Sequence, residues 1–135
     1  MSLFPVEGGC QCVFVRYRIV EEPLATGICH CRSCQRSAGA ESVAWAVNQD
    51  AAFELTAGEP SAFASSPGVE RTFCPQCGTS LTYRNGPESI DVTLASLDDP
   101  EALPPTREVW CEDRVSWNAL SAELEHYQQR SGTRS

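Results

Sequence analysis

Seven of the eight cysteines in this 135-residue chain crowd into three short clusters, and that crowding constrains the fold more than any other feature. The clusters are Cys10-Gln11-Cys12, Cys29-His30-Cys31-Arg32-Ser33-Cys34 and Cys74-Pro75-Gln76-Cys77-Gly78, with Cys111 standing alone. The N-terminus, Met1-Ser2-Leu3-Phe4-Pro5, has neither a basic leader nor an apolar signal core, and no apolar run approaches the ~18 residues of a membrane span. The expected compartment is therefore the cytoplasm, where thiols stay reduced and closely spaced cysteines point to metal or redox chemistry before disulfides.

Cys74-Pro75-Gln76-Cys77-Gly78 reads as a metal knuckle. Two thiolates two residues apart face one side of a tight turn, Pro75 presets its φ, and Gly78 supplies a permissive backbone position just after it. A structural tetrahedral zinc needs two further ligands, from Cys10 and Cys12 or from the Cys29 cluster. Seven clustered cysteines do not divide into two complete four-cysteine sites, so one site is expected closed and the other with three protein sulfurs. Three ligands and an open position is the arrangement of catalytic zinc. Cys29, Cys31 and Cys34 lie within six residues, so one turn can present all three, which makes them the better candidates for the open site. Cys10, Cys12, Cys74 and Cys77 then form the closed one, joining the first strand to a later hairpin. His30, Cys111 or a carboxylate could instead complete the second site and make it structural. His30 is expected to point away from a metal shared by its neighbours, Cys111 to be a buried small apolar residue, and His126 to be a surface residue.

Length and a hydrophobic fraction of 41% suit a single soluble domain over 1–135, with 131–135 a frayed tail. The formal net charge is −8, and zinc–thiolate centres would add to it, so the surface repels phosphate backbones. No nucleic-acid or membrane partner is expected. Frequent Pro and Gly turn signals imply a mostly β fold. Strands are predicted over 12–20, 42–47, 52–56, 61–65, 69–73, 80–83 and 89–96. In the first, Val13, Val15, Tyr17 and Ile19 share one face. Arg32–Ala38, closed by Gly39, is predicted to form one or two helical turns, and 118–129 a short C-terminal helix with Leu120, Leu124 and Tyr127 on one stripe.

The three clusters in this order resemble the family of the glutathione-dependent formaldehyde-activating enzyme, which includes centromere protein V. The resemblance takes in Gly8-Gly9 before the first cluster, Phe73 before the knuckle, Ser65-Ser66-Pro67-Gly68, Leu94-Ala95-Ser96-Leu97-Asp98 and Trp117, and so spans nearly the whole chain. It implies a β-tent of small antiparallel sheets organised around a four-cysteine zinc site. It implies Cys10, Cys12, Cys74 and Cys77 as structural ligands, with Cys29, Cys31 and Cys34 on a second, accessible zinc. Cys111 falls outside the family's metal pattern.

The activity implied is that of a zinc-dependent carbon–sulfur lyase, acting on a glutathione adduct or another small thiol, as in the condensation of glutathione with formaldehyde. Glutathione is thus the expected co-substrate. A dication stabilises an entering thiolate, and Arg32 and Arg36, flanking the triplet, are candidates for offsetting the cluster's charge or anchoring an anionic substrate. Two other readings compete: a non-catalytic zinc-stabilised interaction module, and a redox switch that forms disulfides among these cysteines.

Overall fold

Turn residues at close intervals keep every strand short, and the described residues, 3–131 of the computed structural model, form eleven strands and one α-helix. In chain order these are β1 (Val6–Gly9), β2 (Arg16–Ile19), β3 (Ala25–Cys29), α1 (Arg32–Ala38), β4 (Val43–Gln49), β5 (Phe53–Ala57), β6 (Ser61–Ser66), β7 (Val69–Phe73), β8 (Ser80–Asn85), β9 (Ser89–Thr93), β10 (Arg107–Val109) and β11 (Glu125–His126). β1, β2 and β5 make a three-stranded antiparallel sheet. The others make a larger sheet in the order β11-β10-β3-β4-β9-β8-β7-β6. It is antiparallel except at β10, which runs parallel to both β3 and β11.

Alternation along the strands gives the larger sheet two different faces. One carries Ala46 and Val92 into the main core, where they meet Val15, Tyr17 and Ile19, all fully buried, from the smaller sheet side. Tyr17 Oη lies 2.6 Å from Ser96 Oγ, and the same ring packs on Phe53. A Cβ on Gly8 would fall 2.5 Å from that hydroxyl and 2.6 Å from the Ser96 carbonyl, so only glycine lets β1 close over it. A bridge from Gly8 to Leu97 and the bond from Asp98 N to Glu7 O tie the two sheets together there.

The opposite face is defined by the register. Arg71 pairs with Tyr83, Tyr83 with Asp91, and Asp91 with Val47, so residues of four adjacent strands stand in one row. Further along, Gly27 pairs with Trp45, and Cys29 with both Val43 and Val109. This face forms the floor of a cleft rather than core.

The mostly β architecture is as expected, and the strands over 42–47, 52–56, 61–65, 69–73 and 80–83 appear within a residue or two of their predicted ends. The long first strand is shorter than predicted, because residues 10–15 turn back on themselves, with Cys10 N donating to Val15 O. Val13 consequently leaves the buried face, being 64% exposed. The expected strand over 89–96 ends at Thr93 in a short 3₁₀ turn.

The C-terminal helix expected over 118–129 is absent. Its apolar stripe is only three residues, too little to favour a helix over an open sheet edge. The segment instead pairs with the edge of β10. Tyr127 N donates to Glu108 O, Cys111 N to Tyr127 O and Trp110 N to Gln129 O. The chain's one described α-helix is α1, ended by Gly39 in the left-handed conformation as its sequence predicts. Of the predicted tail, residues 132–135 lie outside the described residues.

Candidate metal centres

Two knuckles of like construction bring Cys10 and Cys12 against Cys74 and Cys77. In one, Cys10 N donates to Val15 O at 3.1 Å; in the other, Cys74 N donates to Thr79 O at 3.0 Å. The residue after the second cysteine is left-handed in both, Val13 at φ 72° and Gly78 at φ 81°. The four sulfurs converge within 4.8 Å of one another. Cys12 Sγ lies 3.6 Å from Cys10 Sγ and 3.7 Å from Cys74 Sγ. Around a tetrahedral zinc with bonds of about 2.3 Å the sulfurs would stand roughly 3.8 Å apart, close to the two shortest separations here.

Backbone groups already compensate charge on these sulfurs. Val15 N donates to Cys10 Sγ at 3.2 Å, and Gln76 N and Cys77 N donate to Cys74 Sγ at 3.3 and 3.4 Å. The Thr79 hydroxyl lies 3.3 Å from Cys77 Sγ, and its bond, followed by that of the Thr79 backbone, pulls the Cys77 thiol down to about 5. No arginine is bonded to any of these sulfurs among the described residues.

Cys29, Cys31 and Cys34 form the second cluster, again with all sulfurs within 4.8 Å. Cys29 ends β3, Cys31 caps α1 by accepting from Cys34 N at 3.3 Å, and Cys34 lies in the first turn of that helix. Bonds with Cys29 and then Cys34 hold the Cys31 thiol down at about 2, while bonds with Cys31 and Cys34 push that of Cys29 up. Three sulfurs this close are the donor set of a site for a thiophilic cation.

Arg71, buried on β7, supplies the charge here. Its Nη1 and Nη2 both point to Cys34 Sγ at 3.8 Å, and the guanidinium is fixed by Ser33, Ser37 and Ser65 and by the face of Tyr83, 4.9 Å from the ring centroid. Arg32, one of the two arginines the sequence singles out, borders the same cleft and donates to Gln35 Oε1 at 2.6 Å. Arg36 borders a neighbouring hollow beside Phe63 and Phe73.

His30 Nε2 donates to Glu108 Oε1 at 2.7 Å, and its ring is not among the converging sulfur ligands. Glu108 is 3% exposed and also accepts from Ser121 N at 2.8 Å, while His126, partly exposed and bonded to the Ser121 carbonyl, borders this network with its Nε2 3.2 Å from Glu108 Oε2. Cys111 is buried, with its sulfur on the Glu108 carbonyl.

The second cluster opens on a cleft of about 520 Å³ whose floor is the outer face of the larger sheet. Trp45, Tyr83 and Trp110 give it aromatic walls, and Asp91 and Arg107 place charge in it. Burial pushes the Asp91 carboxyl up to about 7, against the pull of Arg71 and Arg107. The sequence reading missed Arg71, Asp91 and Arg107. The one available signal was a charge at an inward position of strand alternation, as in Val69-Glu70-Arg71-Thr72-Phe73, and it does not say which arginine meets which sulfur.

The fold and its relatives agree. A crystal structure of a Rhodobacter sphaeroides protein superposes with a TM-score of 0.58 at 23% identity, over 68% of this chain and 87% of that one. A Halomonas elongata protein that bears the provisional name glutathione-dependent formaldehyde-activating enzyme is 28% identical over 124 residues, covering 83% of this chain and 78% of its own. An uncharacterized lyase of Schizosaccharomyces pombe is 34% identical over 83 residues, 59% of each chain. The profile of one family matches residues 5–113, a span that includes both cysteine clusters and the cleft strands as far as β10: the chain belongs to the glutathione-dependent formaldehyde-activating enzyme family.

Proposed function

We propose that this protein is a zinc-dependent carbon–sulfur lyase-type enzyme that joins a small thiol, glutathione in the first instance, to an aldehyde such as formaldehyde and releases it in reverse. The observation that carries this reading is the convergence of Cys29, Cys31 and Cys34 at the mouth of a cleft large enough for a small ligand. Zinc held by Cys29, Cys31 and Cys34 would supply positive charge that stabilises a substrate thiolate.

The chain's own residues then have separate tasks. Arg71, locked by three serines, offsets the charge of Cys34 and keeps that sulfur in place. Arg32 at the rim draws an anionic ligand in, and Arg36 adds to the positive charge on that side. Trp45, Tyr83 and Trp110 exclude water around the reacting atoms. In the forward direction the sulfur lone pair forms the S–C bond, the carbonyl π pair moves to oxygen, and that oxygen takes the proton the thiol gave up. The closed cluster stays structural, and a cytoplasmic location would keep all seven sulfurs reduced.

Cobalt substitution tests this reading. Glutathione added to the cobalt-loaded protein is expected to change the sulfur-to-cobalt absorption of the second cluster. A spectrum that does not respond, with both clusters loaded, supports the non-catalytic zinc-stabilised module instead.

A further inference from the structure

Three charged side chains lining the cleft, Asp91, Arg107 and Asp113, have no side-chain partner among the described residues, and two of opposite sign stand on strands of its floor. Asp91 on β9 and Arg107 on β10 both line it, and neither makes a hydrogen bond or ion pair among the described residues. Two other arginines that line the cleft, Arg71 and Arg32, are committed. Arg71 is held by Cys34, three serines and Tyr83, and Arg32 by Gln35. An unpaired carboxyl and an unpaired guanidinium in one partly buried cleft are costly to the free protein unless a ligand satisfies both.

The backbone is arranged to leave them facing one another without touching. β9 and β10 are separated by β4 and β3. Gly27 on β3 has no side chain where a Cβ would stand 3.1 Å from Arg107 Cγ, so the arginine can lie across that strand toward the centre of the cleft. Arg107 is close enough to pull on the Asp91 carboxyl, yet forms no ion pair with it. Unpaired charges of opposite sign on one cleft floor suit a group that carries both a cation and an anion.

We infer that Asp91 and Arg107 form a two-point subsite for an α-amino-acid end of the thiol substrate, with the carboxylate of Asp91 receiving the ammonium and the guanidinium of Arg107 the carboxylate. This subsite rests on the thiol reading of the second cluster. The spacing agrees with it. Asp91 stands two strands from Arg71, on the order of 10 Å at ~4.8 Å per strand, and Arg71 touches Cys34 Sγ. An extended peptide covers about 3.5 Å per residue. A peptide of two or three residues therefore spans the interval between those two strands, which is the size of thiol the subsite would select.

The subsite makes the amine a specificity element, and this is testable on the unmodified protein. Titration calorimetry of the zinc-loaded chain at pH 8 would compare two sulfur-free peptides, glutathione with its sulfur replaced by hydrogen and the same peptide N-acetylated. Acetylation is expected to weaken binding about tenfold or more, the effect of losing one charge-assisted contact. D91N should bring the free-amine peptide down to the acetylated one, D91E should restore the difference, and R107Q should weaken both. Equal binding of the two peptides to the unmodified protein, or a difference that survives in D91N, overturns the subsite.

The two levels fail separately. If the amine preference appears but glutathione leaves the cobalt spectrum unchanged, the subsite stands and the thiol chemistry falls. If glutathione and N-acetylglutathione shift that spectrum at the same concentration, the thiol chemistry stands and the subsite falls.

Discussion

The two cysteine clusters use the same ligand atom under different conditions. In the closed cluster the sulfurs come in two pairs about sixty residues apart, Cys10 with Cys12 and Cys74 with Cys77, and backbone N–H groups of the knuckles donate to them. In the second cluster all three sulfurs come from one short loop and helix start, and the compensating charge is a side chain from another strand, Arg71. A metal in the first would pin the smaller sheet to the β7–β8 hairpin. A metal in the second joins nothing that the chain does not already hold together. The two groups of sulfurs therefore differ in where their donors originate and in what lies beside them, here a cleft.

The largest effect should come from breaking the first cluster. Cys74→Ala is expected to abolish the cooperative thermal transition, because structural zinc contributes about 10–16 kcal/mol in small zinc-dependent folds while a whole domain is stable by about 5–15 kcal/mol. Cys31→Ala should keep a transition and lose metal from the second cluster alone, at a cost of about 1 kcal/mol for the lost helix cap. Circular dichroism melts with elemental analysis check both, and equal damage from the two variants would erase the contrast.

His30, in the loop of the second cluster, is bonded into the Glu108 network. Glu108→Ala leaves His30 Nε2 and Ser121 N without their acceptor in a buried setting, where His30 Nδ1 is already unpartnered. A loss of about 3–5 kcal/mol is expected, together with faster release of metal from Cys29, Cys31 and Cys34 to a chelator. If metal leaves both clusters at unchanged rates, the network supports the edge strands only.

The grouping of the seven cysteines was legible in the sequence because cysteine clusters and knuckle turns are local signals: Pro75 and Gly78 announce one turn, and α1 is bounded by Cys31 and Gly39. The cleft was not legible. Arg71, Asp91 and Arg107 become neighbours only through the order β10-β3-β4-β9-β8-β7, and a strand pattern carries no information about which strands will lie together. The same limit explains the misread C-terminal segment. The open edge of β10 is a tertiary feature that overrode a weak local helix pattern, and a two-residue strand such as β11 has no periodicity to detect.

Arg71 allows the contrast to be sharpened without touching a ligand. Arg71→Met should weaken metal binding at the second cluster about tenfold, through loss of the charged contact to Cys34, and leave the closed cluster unchanged in competition with a chromophoric chelator. A smaller effect belongs to Asp91, whose carboxyl is raised from 3.8 to about 7, chiefly by burial. Between those values the folded protein holds a proton that the unfolded chain has released, so its stability should fall as the pH rises from about 4 to about 7 and stay level above. Asp91→Asn should flatten that slope and stabilise the protein at pH 8 by about 1–3 kcal/mol. Urea titrations at pH 4 and pH 8 on both proteins measure it.

The smallest effect returns to the closed cluster and separates its two knuckles. The same position after the second cysteine is left-handed in both, yet one holds Gly78 and the other Val13, a β-branched residue for which that conformation costs about 1–2 kcal/mol. Val13 is exposed, so its side chain gives little back in packing. Val13→Gly removes the strain but loosens the unfolded chain by up to about 1 kcal/mol. The net gain should be about 0.5–1 kcal/mol in chemical denaturation. It should come with unchanged behaviour of the second cluster, since the turn touches only the first. A loss of stability instead would mean that Val13 is held by the metal rather than strained against it, and the two knuckles would no longer be equivalent halves of one site.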